Sequence, residues 1–250
     1  MNPMESEIIR PEEYAEQHRI DIFDAGPTGE MRLSALLCLC QNVSWEHLER
    51  LGVGYSRLRR DGLVFLILSN QAEIRRMPRY GETVTICTFP CGSSGVTFYR
   101  GFEITDAEGT LLVSLTQSSA CVDPESHSLL RPKVFYAYGV FQEEKTPAER
   151  KISRIKAGEM PPVGERTVRY SDLDCNGHMN NTVYADVTED FLPGGREGKT
   201  YTRVQIDYVS EARFGEELLL KGEEKDGLCI LQGFHSRGLC FSARAEMRKL

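Results

Sequence analysis

An α+β fold made of two copies of one helix-then-meander unit is what the 250-residue sequence predicts. Three observations lead there. Residues 33–51 and 179–192 carry apolar side chains at the helical period. Each stretch precedes four segments rich in Val, Ile, Thr, Phe and Tyr and divided by turn residues, the pattern of antiparallel strands. Finally, Arg79-Tyr80-Gly81-Glu82 in the first half matches Arg213-Phe214-Gly215-Glu216 in the second, and each Gly-Glu pair closes one long strand and opens the next.

The elements follow in order. Leu33, Leu36, Leu37, Cys40, Val43, His47, Leu48 and Leu51 form one stripe of the first helix. Strands are expected at about 63–77, 82–90, 95–105 and 110–122, with turn signals at 78–81, 91–94 and 106–109. Residues 123–141 still carry apolar side chains and are expected to pack on the surface. Residues 142–162 are charged, poor in large apolar side chains and end at Pro161-Pro162, the composition of a linker. A strand at 166–170 and a polar turn at 171–177 lead to the shorter helix, which Pro193-Gly194-Gly195 stops. Strands are then expected at 200–211, 216–223, 227–235 and 238–248. A helix wrapped by a curved sheet buries two apolar faces, and two such units can join their sheet edges and so protect them. The expected organisation is an N-terminal unit over 1–141, a linker over 142–162 and a C-terminal unit over 163–250.

Composition narrows the function classes. The net charge is −7, a poor match to nucleic acid or an anionic membrane surface. No apolar run approaches the length of a membrane span. The first ten residues are polar, without a signal core, so a cytoplasmic protein is expected. Eight cysteines without a Cys-x-x-Cys pair read as reduced, mostly buried side chains, and no metal site is expected. No Gly-rich phosphate loop is present.

Chemistry concentrates before the second helix. Residues 172–181 hold two carboxylates (Asp172, Asp174), three carboxamides (Asn176, Asn180, Asn181) and the His178 imidazole. The corresponding turn of the first half, 24–31, has no His, no Asn and no second Asp. A shared fold would not require the cluster, which points to function. A helix start offers unpaired N–H groups to a developing oxyanion, a nearby carboxylate can activate water, and Asn or His can orient it. These are the parts for hydrolysis of an activated acyl group.

The string Asp172-Leu173-Asp174-Cys175-Asn176-Gly177-His178-Met179-Asn180-Asn181 resembles the signature of acyl-acyl-carrier-protein thioesterases, normally Asp-x-Asp-x-Asn-x-His-Val-Asn-Asn followed by an aromatic. Met179 stands in place of Val, and Tyr184 supplies the aromatic. Ile206-Asp207-Tyr208-Val209-Ser210-Glu211 resembles the family's second motif, which ends in Arg-Glu-Cys. The resemblance implies a tandem, or double, hotdog with the acyl chain in the first unit and catalysis in the second. It places the catalytic residues on Asp174, Asn176, His178 and Glu211, with no cofactor. Ala212 replaces the Cys found in plant members, so a thiolate at that position is impossible. Asp174 and Glu211 are then expected to act on water, His178 and Asn176 to position them, and N–H groups near Gly177 and Asn180 to polarise the carbonyl. Asp172 is expected to be structural, and Cys175 a bystander.

The partner implied is acyl carrier protein with its acyl-pantetheine arm; a homodimer is compatible. Arg59, Arg60, Arg75 and Arg76 are candidates for docking that acidic carrier. Two other readings stay open: an acyl-CoA thioesterase on the same fold, told apart by thiol release from matched substrates, and a non-catalytic acyl-binding protein, told apart by any thioester hydrolysis.

Overall fold

The strands of the described residues form a single antiparallel sheet of ten. The computed structural model describes residues 11–156 and 158–250; the polar start at residues 1–10 lies outside the described residues. The elements are β1 (Tyr14–Arg19), α1 (Leu33–Arg50), α2 (Tyr55–Arg60), β2 (Val64–Ile74), β3 (Thr83–Ser94), β4 (Thr97–Thr105), β5 (Leu111–Val122), α3 (Lys133–Tyr136), β6 (Pro162–Thr167), α4 (Val183–Phe191), β7 (Lys199–Tyr208), β8 (Glu217–Lys225), β9 (Leu228–His235) and β10 (Gly238–Lys249). The strand order is β1-β3-β4-β5-β2-β7-β10-β9-β8-β6. Read outward from the β2–β7 junction, both halves show the same succession of strands. At that junction Ser69 faces Asp207 and Glu73 faces Arg203, and Ser69 Oγ donates to Asp207 Oδ1 at 2.7 Å. Pairing the two inner edges leaves, among the described residues, β1 and β6 as outer edges, each six residues long. Pro162 is tolerated at the start of β6 because an edge strand needs no donor on its outer side.

α1 buries Leu33, Leu36, Leu37, Cys40, Val43, His47 and Leu48, the stripe read from the sequence. Each fully buried large apolar side chain contributes about 1.5–3 kcal/mol. The helix packs on β1, β3 and α4. It ends in a Schellman motif: Gly52 N–H donates to Glu49 O, and Val53 N–H to Leu48 O, with Gly52 at φ 73°. Gly54 then starts α2, where a Cβ would lie 1.9 Å from the Glu49 carboxyl carbon. The sequence does not announce α2, whose six residues bury only Leu58.

Three expectations need correction. The second helix was expected from 179, yet α4 begins at Val183. Met179 pairs with Leu173 across a tight hairpin, and the Asn180 side chain accepts from Thr182 N–H and Oγ–H at 2.9 Å each, so these residues turn the chain instead of extending the helix. Residues 123–141 do not simply pack on the surface: α3 drives Phe135 into a cluster with Phe65 and Phe98, ring centroids 5.0 and 5.6 Å away. The strand expected at 166–170 lies earlier, as β6, because Tyr170–Asp172 coils into a single 3-10 turn.

The segment joining the halves is fastened to the sheet. Gln205 Nε2 donates to Ser153 O, and Ile155 N–H donates to Asp207 Oδ2 at 2.7 Å. Gln205 and Asp207 alternate with the core residues Val204, Ile206 and Tyr208, so the segment crosses the face turned away from the core.

Candidate active site

The hairpin before α4 repeats the hairpin before α1 bond for bond. Asp174 N–H donates to His178 O as Gly26 N–H does to Glu30 O, both at 2.8 Å. Gly177 N–H donates to Asp174 O as Gly29 N–H does to Gly26 O, and both glycines have positive φ. Asn180 N–H donates to Asp172 O as Arg32 N–H does to Asp24 O, again at 2.8 Å. Met179 N–H donates to Ala212 O as Met31 N–H does to Pro78 O. His178 bridges to Arg213 as Glu30 bridges to Arg79. The backbone is thus common to both copies, while the side chains differ. Asp174 stands where the first copy has Gly26, His178 where it has Glu30, and Glu211 where it has Met77.

The copies use that hairpin differently. In the first, Glu30 is 3% exposed and lies 3.8 Å from Arg196 and 4.0 Å from Arg79, a structural ion cluster between the halves. In the second, His178 Nε2 lies 3.1 Å from Glu211 Oε2, and the two side chains are 25% and 32% exposed. Asp174 Oδ1 accepts from Asn176 N–H at 2.8 Å and from His178 N–H at 3.4 Å. Its Oδ2 has only a long contact to Asn176 Nδ2, at 3.4 Å, which leaves lone pairs for a further donor. Asp172 is buried, accepts from Arg166 at 2.9 Å and from Arg169 N–H at 2.7 Å, and so holds the turn in place.

A cavity of about 690 Å³ begins at this hairpin. Asp174, Asn176, Asn180 and Asn181 line it on one side; the first half contributes the aromatics Trp45, Phe65, Phe98, Phe135 and Phe141 together with polar side chains, Gln41, Arg100 and Gln117 among them. That is the size of a small-molecule pocket, with an aromatic wall and a few placed polar groups. His178 and Glu211 are not among its lining residues; His178 is joined to Asp174 by the hairpin's hydrogen bonds, and Glu211 to His178.

The sequence reading missed how α2 reaches the site. Tyr55 Oη donates to Asn176 Oδ1 at 2.9 Å, and Arg59 Nη1 donates to the same oxygen at 3.1 Å and to Tyr55 Oη at 2.8 Å. Tyr55 is packed edge-on against Trp45, 5.7 Å away. The first half therefore fixes a side chain of the second. A six-residue polar helix gives no periodic signal, so only the fold reveals this contact.

Two expected features do not hold. The N–H groups of Gly177, His178, Met179 and Asn180 are consumed by the hairpin, so the Gly177 and Asn180 backbone cannot receive an oxyanion. Asn181 N–H has no acceptor among the described residues, and Asn180, whose Oδ1 is occupied, retains its Nδ2 donors. The four arginines are also not one patch. Arg59 and Arg60 sit on α2, whereas Arg75 and Arg76 follow β2, whose eleven extended residues separate the pairs by roughly 35 Å. Arg76 is bound to Glu82 at 2.8 Å. Ala212 is fully buried and its N–H donates to Tyr184 Oη, while Cys175 is exposed at the cavity. Among the described residues no cluster could hold a metal ion.

Comparison with known proteins gives the family and the fold. Residues 11–131 match the model of the acyl-ACP thioesterase N-terminal domain, and residues 156–233 match that of the C-terminal domain. An acyl-carrier-protein hydrolase, FATB3, of Cuphea viscosissima is 24% identical over 186 residues, covering 68% of this chain and 45% of the relative. A dodecanoyl-acyl-carrier-protein hydrolase of Cinnamomum camphora is 22% identical over 188 residues, covering 68% and 48%. This chain thus spans about half the length of these curated relatives. In fold, an acyl-ACP thioesterase from Bacteroides thetaiotaomicron superposes with a TM-score of 0.83 at 22% identity, covering 94% of this chain and 98% of its own. The 12:0-ACP thioesterase from Umbellularia californica gives 0.82 at 18% identity, covering 95% and 98%. With both domain models matched along most of its length, the chain belongs to the acyl-ACP thioesterase family.

Proposed function

We propose that this protein hydrolyses acyl-acyl-carrier-protein thioesters to free fatty acid and carrier protein. The observation that supports it best is that Asp174 and the His178–Glu211 pair occur on only one of two hairpins with the same backbone, the one beside the aromatic-lined cavity. The acyl chain lies in the cavity, with its carbonyl at Asn180 and Asn181. Asp174 Oδ2 accepts a proton from water as the water oxygen bonds to the carbonyl carbon. The charge formed on the carbonyl oxygen is met by Asn181 N–H and Asn180 Nδ2. The carbonyl re-forms as the C–S bond breaks, the leaving sulfur takes a proton from His178, which Glu211 holds in place, and the proton on Asp174 then passes to His178. Asn176 holds Asp174 and is itself held by Tyr55 and Arg59. The acidic carrier docks beside α2, which carries Arg57, Arg59 and Arg60 and whose Tyr55 lines the cavity. In architecture, each half is read as a hotdog unit whose sheet encloses its own helix, α1 or α4; their buried faces support this.

Thiol release from matched carrier-linked and CoA-linked acyl substrates tests the proposal. Asp174→Asn and Glu211→Gln are expected to lower kcat by about 100-fold or more. A folded Asp174→Asn variant releasing fatty acid at the full rate would remove Asp174 from the chemistry.

A further inference from the structure

The cavity contains a cation that an alkyl chain cannot use. Arg100 lies on β4 in the same side-chain phase as Phe98, Phe102 and Ile104, so it points inward with them. It lines the cavity. Its Nη1 donates to His47 Nδ1 at 3.2 Å and to Thr88 Oγ1 at 3.3 Å, and its guanidinium lies 5.9 Å from the Phe141 ring. Among the described residues, its Nε and Nη2 have no acceptor and no carboxylate lies within ion-pair distance; Glu12 and Glu144, also on the cavity wall, do not pair with it. Burial pushes its pKa down to about 10, which leaves it charged at neutral pH. Arg100 is half-buried, and a charge withdrawn from water in this way ordinarily finds a counter-charge.

Arg100 also does not stand alone. It faces Gln117 on β5, which faces Asn70 on β2, so a polar row crosses the cavity floor. Gln117 Nε2 donates to Asn70 Oδ1 at 3.0 Å, Asn70 Nδ2 to Tyr208 Oη at 3.2 Å, and Tyr208 Oη to Asn181 O at 3.1 Å. The row starts at the catalytic hairpin and ends at the cation. Three strand spacings separate β4 from β7, about 14 Å. At about 1.2 Å advance per bond of an extended chain, that is roughly a dozen bonds.

We propose that Arg100, with Gln117, is a recognition subsite for an oxygen atom on the acyl chain, so that the preferred substrates are acyl groups carrying a carboxylate, oxo or hydroxyl function near their far end. This rests on the thioesterase reading for the location of the thioester, though not for the binding of the oxygen. Arg100 Nε and Nη2 donate to that oxygen and complete the guanidinium's hydrogen bonding. A hydrogen bond to a charged group corresponds to about tenfold or more in affinity.

The test uses the full chain. Melting temperature is followed with dodecanoate, 12-hydroxydodecanoate and dodecanedioate, and hydrolysis with the corresponding thioesters, for wild type, Arg100→Met and Gln117→Leu. Wild type is expected to bind and hydrolyse at least one oxygenated chain about tenfold better than the alkyl chain. Arg100→Met is expected to reverse that order, and Gln117→Leu to weaken it. An alkyl chain preferred or equalled in wild type, in both binding and hydrolysis, would overturn the subsite whatever the variants do. If no thioester is hydrolysed but an oxygenated acid binds in an Arg100-dependent way, the subsite stands and the thioesterase reading falls. If alkyl thioesters are hydrolysed without any preference for oxygen, the reverse holds.

Discussion

Loss of the Tyr55 and Arg59 donors to Asn176 separates positioning from docking. In wild type, Asn176 Oδ1 accepts from Tyr55 Oη at 2.9 Å and from Arg59 Nη1 at 3.1 Å, while Nδ2 faces Asp174. Tyr55→Phe removes one donor and keeps the ring against Trp45. Arg59→Met removes the other donor and the charge. A neutral hydrogen bond is worth about 1 kcal/mol, and the arginine bond, at an exposed position, is best taken at a similar value. At 1.36 kcal/mol per tenfold in rate, each variant should lower kcat by about fivefold. Because Arg59 also donates to Tyr55 Oη, the double variant should fall short of the product of the two. The assay is steady-state hydrolysis of a carrier-linked and a CoA-linked acyl thioester. If α2 positions Asn176, kcat falls for both substrates and Tyr55→Phe behaves like Arg59→Met. If KM for the carrier-linked substrate rises alone, with kcat intact for both variants, Arg59 is only a docking charge and the positioning argument fails.

The two aspartates of the hairpin should part company. Asp172→Asn leaves Arg166 without its buried partner at 2.9 Å, a loss of about 2–3 kcal/mol, which at about 2–4 °C per kcal/mol for a chain of this size lowers Tm by roughly 5–10 °C while the folded fraction keeps its kcat. Asp174→Asn should do the opposite, with Tm nearly unchanged and kcat lost; calorimetry beside single-turnover kinetics reads both. Thiol labelling at pH 8 should modify the exposed Cys38 and Cys175 first, and Cys240, whose thiol burial pushes up to about 11, only after unfolding. Peptide mapping showing early labelling of Cys240 would contradict its buried placement. Alkylated Cys175 should slow hydrolysis by obstructing the cavity mouth, and Cys175→Ser should stay active because no step uses its sulfur.

Much of this was legible from residue order. Helical periodicity located α1 to within a residue, because its buried stripe is long and unbroken. The Gly-Glu repeat marked a real structural equivalence: Gly81 and Gly215 both have positive φ, and both following glutamates accept from the N–H three residues before them, Arg79 and Arg213. The second helix began late because Asn180 uses its side chain to satisfy Thr182, a local competition that apolar periodicity cannot register. The oxyanion donors were misplaced for a related reason, since composition does not say which N–H groups a hairpin has already spent. One signal was present and unread: a polar residue in the inward phase of a strand, as in Phe98-x-Arg100-x-Phe102, marks a cavity floor.

The sequence by itself determined the duplicated helix-and-meander plan, the family signature and the difference between the two hairpins. Each of these is a local pattern, carried by residues close together in the chain. Tertiary structure alone decided that α2 reaches Asn176 across a separation of 121 residues, that Arg59 and Arg75 lie at opposite ends of a strand, and that Arg100, Gln117 and Asn70 stand in one row. Such contacts depend on strand order and register, which are set by how the two apolar faces bury one another. No short stretch of sequence contains that information.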